Sequence, residues 1–137
     1  MARKTQNELK KLDKKADALW SQCIRARDKE CVLCGRKTAL QAHHWILSRA
    51  QSSRYKFDLR NGVTLCYGCH IHGIHSRPSL YLMNRLKEAC LTRGIVTKED
   101  INEIIANKNE VHKRNLLELD NIIVALEAFL KEKEEKC

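Results

Sequence analysis

Two Cys-x-x-Cys pairs, Cys31/Cys34 and Cys66/Cys69, stand 31 residues apart in a chain of 137, and no other feature restricts its fold as much. A Cys-x-x-Cys turn sets two sulfurs at two corners of a tetrahedron, with backbone amides able to point at the thiolates, so two such turns make a four-sulfur metal site. A redox dithiol needs only one pair, and cysteines buried as small hydrophobes have no reason to recur at this spacing. The pairs are therefore read as ligands of a structural zinc that closes the loop between them.

The other cysteines fit this reading. The total of seven is odd, and Met1 to Lys15 is hydrophilic, without the apolar run of a secretory signal. The expected setting is cytoplasmic and reducing, where paired thiols bind metal instead of forming disulfides. No run approaches the ~18 apolar residues of a membrane span, so no membrane association is expected. Cys23 and Cys90 fall on apolar helix faces and read as core residues; Cys137 has no assigned role.

The length allows one compact unit. With 5% aromatic residues and five glycines against 43% hydrophobic and 31% charged, the composition favours helix over extended sheet. The expected class is α+β, mostly α, in three regions: a basic N-terminal helix over 1–30, a zinc-stabilised module over 31–78 and a helical region over 79–137. The net charge of +9 is uneven: residues 1–80 hold 16 Lys/Arg against 6 Asp/Glu, and residues 81–137 hold 10 against 11. The positive charge thus belongs to the half that carries the cysteines, as a polyanion-binding site would need.

Periodicity fills in the regions. Leu9, Leu12, Ala16, Leu19, Trp20, Cys23 and Ile24 recur at three and four, which predicts a helix over 6–28 with lysines on its other face. From Cys31 to His75 the rhythm breaks, with short strands expected at 40–46 and 62–66, a basic loop over 47–61 and a short helix from near Tyr67. Pro78 suits the first turn of a helix over 79–92 that Arg93-Gly94 ends, and Thr97 with Asp100 resembles a capping pair. A last helix is expected over about 110–136, where Leu116, Leu119, Ile123, Leu126 and Leu130 form a heptad seam widened by Leu117, Ile122 and Phe129. The chain's own first helix or a second copy, making a homodimer, can cover this seam. Its width and short length favour the first.

Five of the six histidines fall between positions 43 and 75. His43 and His44 are neighbours in a predicted strand and must point to opposite faces, so they cannot share one role. Asn61 precedes the second strand, where Asn-Gly alone would also favour a turn. His70, His72 and His75 follow Cys69. On an α-helix, residues five apart lie about 140° apart around the axis and residues three apart about 60°, so His72 and His75 share a face better than His70 and His75 do. His112, far from this group, reads as a surface residue.

With Cys31, Cys34, His43, His44, Asn61, Cys66, Cys69, His70 and His75 in place, residues 31–78 resemble the HNH nucleases of the ββα-metal fold, in the version with a Cys-x-x-Cys zinc site. The likeness is greatest to phage-encoded members, in which a basic loop and an Asn-Gly-Val-x-Leu-Cys strand precede a Cys-His helix. The resemblance implies a metal-dependent endonuclease that hydrolyses DNA phosphodiester bonds, leaving 5′-phosphate and 3′-hydroxyl ends, with a place in phage DNA recombination, processing or packaging inside a bacterial host. It implies His44 as general base and Asn61 as the residue that positions it. It implies His43, His70 and His75 as ligands of a catalytic divalent metal, with His72 as a substitute. That ion would be Mg²⁺, Mn²⁺, Ni²⁺ or Zn²⁺; many relatives carry Asp at the position of His43, and an imidazole favours a borderline transition ion. DNA, duplex or branched, would be gripped at its phosphates by Arg49, Arg54, Lys56, Arg60, Arg77 and the lysine-rich first helix. The competing reading is a non-catalytic zinc-stabilised nucleic-acid-binding protein, which would not require His43, His44 and Asn61 together.

Overall fold

The structure, a computed structural model, describes residues 2–48, 53–76 and 79–135. Its first helix, α1 (Ala2–Asp28), follows the predicted apolar stripe and stops where Lys29 turns to φ 65°, with the Lys29 amide still bonded to Arg25 O at 2.9 Å. The stripe is covered by the last helix, α4 (Leu116–Glu135). Ala16, Trp20, Cys23 and Ile24 meet Leu119, Ile123 and Leu126, with Phe57 in the same core. Burying each of the larger aliphatic side chains among them, such as Ile24, Leu119, Ile123 and Leu126, contributes roughly 1.5–3 kcal/mol relative to exposure. The heptad seam is thus covered within the chain, while Leu117 and Val124 stay exposed.

The helix α4 starts later than the expected residue 110. Residues 110–115 run without helical structure because Ser53 and Arg54 take up their polar groups. The His112 amide donates to Ser53 Oγ (3.0 Å), Ser53 Oγ donates to His112 O (3.1 Å), and Arg114 donates to Ser53 O (2.6 Å). Asn115 then caps α4, its Oδ1 accepting from the Glu118 amide at 2.9 Å.

Against α1 packs an antiparallel hairpin of β1 (Leu40–His44) and β2 (Gly62–Cys66), paired from Leu40↔Cys66 to His44↔Gly62. The second strand matches its expected bounds; the first ends two residues short of residue 46. Beyond His44 the backbone stops pairing with a strand and bonds to Asn61 instead: Trp45 N–H to Asn61 O (3.1 Å), then Ile46 and Leu47 N–H to the Asn61 side chain. Gly62 must be glycine, because a Cβ there would collide with Trp20 and Ile24 of α1. The junction is fixed by Asp28, buried and held by Arg27 (2.7 Å), which accepts the Thr64 amide at 2.8 Å, while Arg27 also donates to Leu59 O and Gly62 O.

After β2 the chain enters a helical segment over Gly68–His75 that is π-helical where an α-helix was expected. The wider turn shows in Ser76 N–H bonding Ile71 O, five residues back, at 3.1 Å. The helix α2 (Leu80–Thr92) is capped by Ser79 Oγ and ends at Gly94 with φ 74°. A full capping box of Thr97 and Asp100 opens α3 (Lys98–Ala106). Leu86, Cys90, Val96 and Ile101 from this region close a second core over Cys31, Trp45, Val63 and Leu65. The result is a mostly helical α+β fold with one two-stranded antiparallel sheet among the described residues. No described helix is long and apolar enough to cross a membrane.

Candidate functional site

The four paired cysteines converge: the sulfurs of Cys31, Cys34, Cys66 and Cys69 all lie within 4.8 Å of one another, and Cys34 and Cys66 are 3.6 Å apart. Four sulfurs at about 2.3 Å from one tetrahedral ion would be separated by roughly 3.8 Å, so the set can hold a metal ion. Its first turn closes through Gly35 N–H to Cys31 O (2.9 Å), with Gly35 at φ 78°, and Val32 N–H bonds Thr64 O (3.0 Å) to fasten the turn to β2. Burial raises the Cys66 thiol, but the Cys69 amide, 3.4 Å from its sulfur, and the neighbouring thiols outweigh burial and bring it down to about 7. A thiolate is the form that binds metal. Cys23 and Cys90 are fully buried apart from this cluster, and burial pushes their thiols up to about 11 and about 12.

A second cluster forms at the other end of the hairpin. His43 Nδ1 lies 3.1 Å from His70 Nε2, and His70 Nδ1 is 2.7 Å from Gln41 Oε1. The Gln41 carbonyl only accepts, so His70 carries its proton on Nδ1 and turns the Nε2 lone pair toward His43. Two imidazole nitrogens at this separation can share one ion with bonds of about 2.0–2.1 Å, and the outward hydrogen bond to Gln41 is the support a ligating histidine needs. His44 Nε2 is 2.9 Å from Lys56 O and must donate to it, which leaves Nδ1 as the basic nitrogen. The ring is half-buried and stacked on Trp20 of α1, with centroids 4.0 Å apart and planes within 9°. His43, His44 and His70 line one open cavity of about 280 Å³ with Asp17, Trp20 and Ser21 of α1, Ala42 and Ser48.

Asn61 is fully buried. Its Oδ1 accepts from Ile46 N (3.0 Å) and Leu47 N (2.9 Å), and its Nδ2 donates to Leu47 O (3.1 Å). The segment leaving His44 is held by this side chain. His72 is elsewhere: it is exposed, edge-on to Tyr67 at 5.4 Å, and lines a groove beside Cys34. The π turn suits a five-residue spacing such as that of positions 70 and 75, but Arg49, Arg77 and the side chain of His75 lie outside what is described.

The basic residues divide. Arg54 pairs with Glu110 (2.8 Å) on the surface, and Lys56 pairs with Asp13 of α1 (2.6 Å). Arg60, expected at a phosphate, is instead taken up by Asp58 (2.7 Å), Asp100 (2.9 Å) and Glu103 (2.9 Å), and its guanidinium is held charged chiefly by the hydrogen bonds to Asp58. It joins the loop to α3. His112 is exposed and bonded to Glu118 at 2.7 Å.

Several residues at the cavity, among them Gln41, Asp17, Trp20, Ser21 and Ser48, carry no functional reading in the sequence. Gln41 stands two before His43 and shares its strand face, a signal that alternation alone could have given. Asp17 and Trp20 sit three apart on α1, where Trp20 read only as core, and Ser48 carried no local signal. No protein-family model, curated protein or solved structure matches this chain.

Proposed function

We propose that this chain is a metal-dependent endonuclease of the HNH kind that hydrolyses DNA phosphodiester bonds, with a structural zinc on Cys31, Cys34, Cys66 and Cys69. The observation that carries the reading is the 3.1 Å approach of His43 Nδ1 to His70 Nε2, in one cavity with a His44 whose tautomer is fixed through Lys56 O. A divalent ion held by His43 and His70 would supply Lewis-acid charge at the scissile phosphate. Ligation by imidazole favours Mn²⁺, Ni²⁺ or Zn²⁺ over Mg²⁺.

In this reading His44 Nδ1 takes a proton from the attacking water as the water oxygen bonds to phosphorus and the bond to the 3′ oxygen breaks. The departing oxygen takes its proton from solvent. The imidazolium that forms is stabilised by its Nε2–H bond to Lys56 O and by the Trp20 face beneath it. Asn61 is a positioning residue that holds the chain leaving His44. The experiment is relaxation of supercoiled plasmid by the full chain with Mg²⁺, Mn²⁺, Ni²⁺ or Zn²⁺, set against His44→Ala. Metal-dependent nicking lost in the variant is expected. If neither protein nicks with any ion while both bind DNA equally, the chain is a zinc-stabilised DNA-binding protein.

A further inference from the structure

The charges around α1 leave an unbalanced group away from the imidazoles. Arg114, in the segment before α4, is half-buried, with Nη2 donating to Ser53 O (2.6 Å) and Arg54 O (3.0 Å) and its guanidinium 5.0 Å over the Phe57 ring. Among the described residues no carboxylate lies within ion-pair distance of it. Burial, the largest influence, pulls its pKa down against the weaker opposing effect of Asp13 and Glu118. It opens into a cleft of about 470 Å³ together with Lys10, Asp13 and Lys14. Both lysines are exposed and, among the described residues, unpaired, while Asp13 is already bound to Lys56. Three cations therefore face one neutralised acid.

This cleft is aligned with the imidazole cavity. Lys10, Lys14, Asp17 and Ser21 step along α1 by four, three and four, so they share one face, and the last two line that cavity. From the middle of the Lys10/Lys14 pair to the middle of the Asp17/Ser21 pair is about seven residues, or about 10 Å of helix rise. That is close to three base-pair steps of duplex at about 3.4 Å each. A guanidinium fixed by two carbonyls and an aromatic ring, flanked by two mobile ammonium groups, suits a phosphodiester group.

We infer that the Lys10–Lys14–Arg114 cleft is a second phosphate-binding point for duplex DNA, which lies along α1 and reaches the His43/His44 cavity about three base pairs further on. The direction of the strand rests on the nuclease reading; the binding point does not. It adds affinity and register without reading sequence.

The test is binding of a fluorescein-labelled 20-base-pair duplex to the full chain carrying His44→Ala, followed by anisotropy over a salt series. Adding Lys10→Gln/Lys14→Gln is expected to weaken binding about tenfold and lower the slope of log K against log salt by about 1.8, or about 0.9 per lost contact. Arg114→Gln is expected to lower it by about 0.9, and Arg114→Lys to keep the slope. The exposed Lys10 and Lys14 can be replaced without disturbing the core, so the double variant decides even where Arg114→Gln unfolds. Lys29→Gln/Lys37→Gln, the same charge change beyond the far end of α1, should have much less effect. The proposal is overturned if the duplex does not bind, if Lys10→Gln/Lys14→Gln leaves affinity and slope unchanged, or if the Lys29/Lys37 pair weakens binding equally. A chain that never nicks but binds through this cleft would sink the nuclease reading alone. One that nicks while ignoring Lys10 and Lys14 would sink the cleft alone.

Discussion

The thiol cluster and the imidazole cavity occupy opposite ends of one hairpin, at Leu40↔Cys66 and at His44↔Gly62, yet they are built by different rules. The sulfurs come from two short turns whose geometry is set by near neighbours: Gly35 folds back on Cys31, and the Cys69 amide points at Cys66 Sγ. The imidazoles are oriented by groups distant in sequence: Trp20 under His44, Lys56 O on its Nε2, Gln41 on His70 and Asn61 behind the loop. A site closed by local turns is robust and legible, whereas one closed by tertiary contacts can be dismantled from many places. Mutations at the second site should therefore spare the first, but not the reverse.

The largest effect expected is that of emptying the proposed zinc site at the sulfurs. Cys66→Ser or exhaustive chelation should release one equivalent of zinc and cost about 4–5 kcal/mol or more, with both ends of the hairpin lost together. Full-chain metal analysis with thermal unfolding checks this; a chelated protein that unfolds at an unchanged temperature would show that the cluster does not tie the fold. Next in size is His44→Ala, expected to reduce nicking by about 10²–10⁴ with zinc content unchanged. Zinc loss in that variant would contradict the independence of the two ends.

The same contrast explains what could be read beforehand. The two Cys-x-x-Cys turns, strand β2 and the Thr97–Asp100 capping box each depend on residues a few positions apart, and spacing carries them. The start of α4 is not legible in the sequence, because His112 and Arg114 bond to Ser53, about 60 residues away, which no local propensity registers. The π geometry of Gly68–His75 is not written in the sequence, because its residues are compatible with either helix, and only the i to i−5 bond distinguishes them. Arg60 reads as a phosphate contact although its chief partner, Asp58, stands only two residues before it; the two further acids on α3 that complete its neutralisation are about 40 residues on. At the cavity, the histidines were legible as residue types, but their orientation was not, since α1 contributes from outside the 31–78 segment.

Two substitutions probe the imidazole end at intermediate size. Asn61→Ala strands the Ile46 and Leu47 amides and Leu47 O, a loss of about 3 kcal/mol. Chemical denaturation with parallel nicking assays should show lower stability and a lower rate with zinc retained. Gly62→Ala drives a methyl into Trp20 and Ile24, which are fully buried and cannot swing away, at about 1–3 kcal/mol. Because Trp20 is the face on which His44 rests, nicking should fall by more than the change in folded fraction explains. A rate that merely follows the folded fraction would show that the stack is only packing.

The smallest expected effect lies at Arg60, which joins the cavity's loop to α3 through Asp58, Asp100 and Glu103. Arg60→Gln should cost at most about 1 kcal/mol, since these pairs are partly open to solvent. The Thr97 amide, then Arg60, hold the Asp100 carboxyl below its ordinary value. A depressed carboxylate contributes fully above the ordinary range near 4 and is lost only as pH falls through its lower folded value. The deficit of Arg60→Gln relative to the parent should therefore be flat between about pH 6 and 8, where histidine titrates. A deficit that changes across that window would mean that freeing the loop had disturbed His43, His44 or His70, and that the imidazole end depends on α3 as well as on α1.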